Sequence, residues 1–87
     1  MRRSRLVHPP PPEGKPFLTT YQRRWLWHRG VSLPERSIIV EFRGSLVVYT
    51  ANRGRPGLSV FPLQSYEAEP LRTAVAEWET LPGLEQP

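Results

Sequence analysis

Apolar residues recur at helical spacing toward the C-terminal end of the chain. They lie at positions i, i+3, i+4 and i+7: Leu71, Ala74, Val75 and Trp78. Pro70 suits the first turn of such a helix, and the Pro-Gly pair at 82–83 predicts that the helix ends near Thr80. Pro62 can likewise open a shorter helical segment over 63–68. The spacing therefore predicts two short helical segments, the second of them amphipathic.

The middle of the chain is rich in β-branched and aromatic residues, which are typical of strands. Two such runs, Ser37–Phe42 and 45–50, are separated only by Arg43 and Gly44, which predicts a tight hairpin. Asn52, two glycines and Pro56 form the next turn. A third strand then follows over 58–61. Together these runs predict a three-stranded antiparallel meander.

Residues 17–29 fit two different periodicities. Phe17, Leu18, Tyr21 and Trp25 fall at helical spacing, Thr19 and Gln22 match a capping box, and Gly30 stands where a helix would stop, so a helix over 20–28 is favoured. The alternative is a strand, because three aromatic residues also share a face at period two: Tyr21, Trp25 and Trp27.

The first sixteen residues contain five prolines and no apolar periodicity. This composition predicts a basic, disordered, partly polyproline-II arm. A single small domain follows over 17–81, and an acidic frayed tail over 82–87 completes the chain. The expected fold class is α+β, a three-stranded meander covered by the C-terminal amphipathic helix. Its two open sheet edges suit a homodimer or strand addition by a partner.

Charge is distributed unevenly along the 87 residues. The net formal charge is +6 over 1–29, +2 over 30–61 and −4 over 62–87. Because a surface attracts ligands by its local potential, the N-terminal part is expected to meet an anionic partner, either nucleic acid or an acidic protein surface. Arginine outnumbers lysine eleven to one, which suits bidentate phosphate contacts, although a GC-rich coding bias produces the same ratio.

The residue types that usually support catalysis are scarce. The chain has no cysteine and no aspartate, and its two histidines, His8 and His28, have no carboxylate at a metal-ligand spacing. The turn 54–57 has glycines but lacks the Lys-Ser/Thr pair of a phosphate-binding loop. We therefore expect a protein that is not an enzyme and uses no metal or cofactor. With no apolar run of membrane-spanning length and no leader-like segment, a cytoplasmic location without membrane association is expected.

The segment 21–29 interleaves aromatic rings with guanidinium groups, a combination that suits single-stranded nucleic acid because bases stack on rings while phosphates meet arginines. The same residues could instead serve as core anchors or as a protein interface. The arginines of the arm and of the turn at 52–57 add to this segment, most effectively if turn and arm lie on the same side. The candidate binding residues are Arg2, Arg3, Arg5, Arg23, Arg24, Trp25, Trp27, His28, Arg29, Arg53 and Arg55. The candidate partner or dimer surface consists of Tyr66, Leu71, Val75 and Trp78.

A local pattern over residues 46–67 resembles Phd/YefM-type antitoxins. It consists of an apolar strand at 46–50, a Gly-Arg-Pro turn at 54–56 and the sequence Pro-Leu-x-x-Tyr-Glu at 62–67. The resemblance implies an operator-binding domain whose C-terminal segment contacts a partner protein. A similar strand-to-helix junction closes the domains of MraZ-type regulators.

Two functional hypotheses follow from the charge, the aromatic segment and this resemblance. The first is a small regulator that binds nucleic acid through the basic arm and the segment 21–29. The alternative is an adaptor or accessory subunit that docks on a larger complex through Trp25, Trp27 and the proline-rich arm.

Overall fold

Two helices pack against a three-stranded antiparallel sheet in a computed structural model, which describes residues 10–78. The elements in chain order are α1 (Thr20–His28), β1 (Ser37–Phe42), β2 (Ser45–Ala51), β3 (Leu58–Val60) and α2 (Ala68–Trp78), with a 3-10 turn (Ser65–Glu67) directly before α2. The strands lie in the order β1-β2-β3, so the α+β class and the meander are confirmed. The predictions for Arg2, Arg3, Arg5 and the helix end near Thr80 lie outside the described residues.

Residues 20–28 are helical, so the helix interpretation is confirmed and the strand alternative is wrong. The Thr19 hydroxyl accepts a hydrogen bond from the Gln22 backbone N–H (3.0 Å), and Gln22 Oε1 accepts one from the Thr19 N–H (2.9 Å). This capping box satisfies two backbone donors that have no partner in the first turn. Gly30, with φ +90°, follows the C-cap residue Arg29 and turns the chain away.

The β1–β2 hairpin closes on Arg43 and Gly44, which both have positive φ (53° and 79°). Such a two-residue turn matches the right-handed twist of the flanking strands, and it pairs Phe42 with Ser45. The resulting register sets Ile39 against Val48 on one face of the sheet and Ile38 against Tyr49 on the other.

The junction before the last helix differs from the expectation of two helical segments separated at Pro70. The 3-10 turn at 65–67 runs directly into α2, and Pro70 is the third residue of α2. Proline fits there because the first-turn N–H groups have no intrahelical acceptor. The Glu67 carboxylate, which is buried, accepts hydrogen bonds from the backbone N–H groups of Gln64 (3.0 Å) and Ser32 (3.3 Å). The Pro-Leu-x-x-Tyr-Glu sequence thus forms a capped strand-to-helix junction.

One hydrophobic core lies between the sheet and the two helices. Its buried members come from α1, the following loop, β1, β2 and α2: Leu26, Val31, Ile39, Val48, Leu71, Ala74 and Trp78. Leu71 (0% exposed) and Trp78 (6%) were expected on a partner or dimer surface, and this expectation is corrected. They point inward because the apolar stripe of α2 is needed to cover the sheet, where each large side chain contributes about 1.5–3 kcal/mol.

Candidate nucleic-acid interface

One side of α1 faces solvent and carries rings and cations together. Tyr21 (58% exposed) and Trp27 (64%) are exposed, as are Arg24 and His28. Arg24 lies three residues from both Tyr21 and Trp27 and four residues from His28, so the four positions share one face of the helix. The rings of Trp27 and His28 meet edge to face at 5.4 Å. Because α1 contains no acidic residue, this surface, hereafter the aromatic face, combines π-systems with positive charge.

Trp25 and Arg29 lie on the flank of α1 that contacts α2. Trp25 is half-buried and packs against the core. The Arg29 guanidinium stacks 3.7 Å from the centre of the Trp25 ring, and its Nε donates a hydrogen bond to Glu77 Oε1 of α2 (2.9 Å). Arg29 therefore joins the two helices with Trp25 packed beneath it, and of the two tryptophans in α1 only Trp27 is exposed to solvent.

Arg23 is also held against the protein. It is half-buried, and its NH2 group donates a hydrogen bond to the Thr20 hydroxyl (3.3 Å). Its Nε atom is buried without a hydrogen-bond partner. Among the arginines predicted on α1, Arg24 is consequently the one on the aromatic face.

A second group of cations lies at the end of the sheet where β1 begins. Arg53 and Arg55 are exposed in the turn between β2 and β3. Arg55 lines a cleft of about 320 Å³ together with Lys15 of the arm and Arg36 of the loop before β1. The described part of the arm therefore lies beside the turn, which is the arrangement expected to strengthen the electrostatic case.

Sequence reasoning did not select Lys15 or Arg36. Lys15 lies in a proline-rich segment without periodicity, and Arg36 lies in a loop whose polar residues are ordinary for a connection. Arg36 has φ +60°, which is uncommon for a residue other than glycine. No sequence signal marks this backbone conformation, so only the tertiary structure reveals that these cations meet Arg55.

The predicted partner or dimer surface is not assembled as one patch. Tyr66 is 74% exposed on the 3-10 turn, while Leu71 and Trp78 are buried and Val75 is half-buried against the core. Tyr66 is thus a single exposed ring without the other three predicted residues beside it at the surface.

Within residues 10–78, no three metal-ligating side chains lie together. Burial raises the pKa of Tyr49 above its ordinary value of 10.0. Over the same residues, no helix is long and apolar enough to cross a membrane.

Comparisons with known proteins add no relative. The chain matches no family model, no curated protein and no solved structure. The aromatic face of α1 and the group of cations at the end of the sheet where β1 begins are therefore the features that indicate a function.

Proposed function

We propose that this protein is a non-enzymatic, cytoplasmic regulator that binds nucleic acid through the aromatic face of α1. One observation carries the proposal: two exposed rings, Tyr21 and Trp27, flank Arg24 and His28 on a helix that contains no carboxylate. Large exposed aromatic side chains are costly to hydrate, and their clustering marks a contact surface.

Single-stranded nucleic acid fits this surface best among anionic ligands. Its bases supply flat π-faces for Trp27 and Tyr21, and its phosphates supply the charge that Arg24 attracts. In a duplex the base faces are stacked on one another and only their edges are accessible in the grooves, so exposed rings find no base face to stack on. The proposal therefore expects affinity with little sequence preference.

The resemblance to Phd/YefM-type antitoxins supports the regulator class but not a particular operator. In this chain the Pro-Leu-x-x-Tyr-Glu sequence caps the start of α2 through Glu67. The proposal of a regulator therefore rests on the aromatic face. An antitoxin-like role is a separate proposal that rests on the local resemblance.

The test is a binding titration of the wild type and three variants against single-stranded DNA, single-stranded RNA and random duplex DNA. We expect Trp27→Ala to weaken single-strand binding by about tenfold, because stacking on one ring contributes about 1–3 kcal/mol. Arg24→Ala is expected to lower affinity and to make its salt dependence shallower between about 50 and 200 mM salt. Ligand anisotropy and tryptophan fluorescence report the binding.

Tyr66→Ala is the matched control, since it removes another exposed ring on the 3-10 turn, away from α1. It is expected to leave affinity unchanged. Equal affinities for wild type, Trp27→Ala and Tyr66→Ala, or an affinity that does not change with salt, would contradict the proposal.

A protein partner is the second candidate, and a groove beside β1 favours it. This edge groove, about 330 Å³, is lined largely by apolar side chains from the arm, β1, β2 and α2: Phe17, Leu18, Ile39, Leu46, Val75 and Trp78. An adaptor would place an extended segment there, with Trp27 as an additional anchor. Binding of a partner through this groove would survive high salt, whereas nucleic-acid binding would not.

A further inference from the structure

Three cationic residues from three separate segments line one cleft at the end of the sheet. Lys15 comes from the arm, Arg36 precedes β1, and Arg55 lies in the turn after β2. The lining of this basic cleft contains no carboxylate. The chain thus brings like charges together at a concave surface, where the protein walls concentrate their field.

The three cationic residues of the basic cleft, Lys15, Arg36 and Arg55, are held in no close ion pair within residues 10–78. Like charges gathered in a cleft repel each other, and an anion bound among them would relieve this repulsion. The arrangement therefore favours an anionic ligand.

The turn that presents Arg55 is held rigidly. Asn52 donates a hydrogen bond from its side-chain amide to the Pro56 carbonyl (3.1 Å) and accepts one from the Ser59 hydroxyl. The Asn52 backbone N–H also donates to the Gly57 carbonyl (3.0 Å). Gly57 has φ +103°, and a Cβ there would lie 3.1 Å from the Asn52 amide nitrogen. Arg55 is therefore presented by a preorganised loop, which lowers the entropy lost when a ligand binds.

Arg36 is held on the opposite side of the cleft. The Ala51 N–H donates a hydrogen bond to the Arg36 carbonyl (3.2 Å), which fixes Arg36 beside the end of β2. Its φ of +60° is sparsely populated by residues other than glycine and is often kept at ligand sites. Two guanidiniums and one ammonium together offer several charge-assisted hydrogen-bond donors to the oxygens of a phosphate group.

We infer that the basic cleft binds a phosphate group of a nucleic-acid strand. This inference rests on the proposed function, because it gives nucleic acid a further contact, on the face of the sheet opposite the core and the helices. A free phosphate ion has the same chemistry, and the experiment separates the two sources.

Two arginines at the two ends of β1 provide a matched pair of variants. Arg36 precedes β1 and Arg43 follows it, and both have positive φ (60° and 53°). Asparagine tolerates positive φ better than most residues do. Arg36→Asn and Arg43→Asn therefore each remove one charge at a position that requires the same backbone conformation. The Arg43 guanidinium lies 5.0 Å from the Phe42 ring, outside the basic cleft.

The first measurement is binding of a short oligothymidylate, about ten nucleotides long, by wild type, Arg36→Asn and Arg43→Asn. We expect Arg36→Asn to lower affinity about tenfold and to make the log–log salt slope shallower by about 0.7, while Arg43→Asn leaves both near wild type. Circular dichroism melting of each variant checks the fold. If affinity and salt slope change equally in both variants while wild type still binds the oligonucleotide, the cleft does not contact the strand. The proposed function would be unaffected by that result.

The second measurement titrates inorganic phosphate into ¹⁵N-labelled protein and follows the Asn52 side-chain amide and the Gly57 backbone amide. Shifts in wild type and Arg43→Asn that are lost in Arg36→Asn would support the cleft as a phosphate site. Phosphate shifts combined with an unchanged oligonucleotide affinity for Arg36→Asn would assign the cleft to free phosphate and overturn the strand contact. No oligonucleotide binding by wild type would overturn the proposed function and the strand contact with it.

Discussion

Trp25 and Trp27 stand two residues apart on α1 and have different environments. Trp25 packs against the core under the Arg29 guanidinium, whereas Trp27 is 64% exposed beside His28. Two residues along a helix correspond to about 200° of rotation, so one ring turns inward while the other turns outward. The strand interpretation would have placed both rings on one face, and the helix separates them.

Tyr49 is expected to make stability fall at alkaline pH. Burial raises its pKa in the folded protein above the unfolded value of about 10. Its contribution is therefore fully present below about pH 10 and is lost as pH rises through the higher folded pKa, because the unfolded chain then binds fewer protons. Urea denaturation from about pH 8 to about pH 11 should show this decline in wild type.

Tyr49→Phe is the control for this pH dependence, since it keeps the ring and removes the titrating hydroxyl. The variant is expected to have a flatter profile over the alkaline range. Parallel declines in wild type and Tyr49→Phe would show that other groups are responsible.

At the scale of elements, α1 is positioned by its cap and by its contact with α2. The Thr19–Gln22 capping box could be predicted because both partners lie within one turn of each other. The contact of Arg29 with Glu77 could not, since 48 residues separate them. For the same reason the sequence grouped Arg29 with the ligand-binding arginines, although the structure places it between the helices.

Arg29→Ala is expected to destabilise the protein by about 1–2 kcal/mol, because it removes both the stack on Trp25 and the bond to Glu77. Glu77→Ala should lower the free energy of unfolding by a smaller amount. The double-mutant cycle of Arg29→Ala and Glu77→Ala should give a coupling energy of about 0.5 kcal/mol, as for an exposed ion pair. Urea denaturation measures these free energies of unfolding.

The same Arg29→Ala variant separates a role between helices from a role in ligand binding. Its oligonucleotide affinity, measured where the protein is fully folded, should fall less than that of Arg24→Ala. A larger loss of affinity for Arg29→Ala than for Arg24→Ala, with no change in stability, would assign Arg29 to the ligand instead.

For the whole molecule, the outer edge of β1 is the longer of the two outer edges of the sheet. The Leu18 N–H donates to the Ser37 carbonyl (2.8 Å), and across the described residues no other backbone group bonds to this edge. Because the hydrogen-bonding direction alternates along an antiparallel strand, the backbone groups of Ile39 and Glu41 face outward. Such an edge pairs readily with another strand.

We expect two copies to associate through this edge. With a twofold axis at Val40, Ile39 of each copy lies opposite Glu41 of the other, so no like charges are directly opposed. Sedimentation velocity over a range of concentrations should show a dimer for wild type. Glu41→Pro should shift it to a monomer, because proline removes an outward N–H without breaking a bond to β2.

Val40→Pro is the matched control, since the Val40 N–H faces β2 and its loss should unfold the hairpin. A wild-type protein that sediments as a monomer at every concentration, or a Glu41→Pro variant that remains dimeric and folded, would exclude association through β1.

The features that could be predicted from the sequence are local in origin. The hairpin at Arg43-Gly44, the capped helix at 20–28 and the amphipathic stripe of α2 each follow from residues within a few positions of one another. The start of α2 was misjudged because proline is compatible with any first-turn position, and the two residues before Pro70 were already helical.

Only the tertiary structure decided which side of each element meets solvent. It buried Leu71 and Trp78, turned Trp27 outward, and gathered Lys15, Arg36 and Arg55 around one cleft. These outcomes depend on how helices and sheet share a single small core, because the face that covers the core determines which faces remain exposed. Residues far apart in the chain come into contact only through that packing, so the local periodicity of the sequence does not predict their contacts.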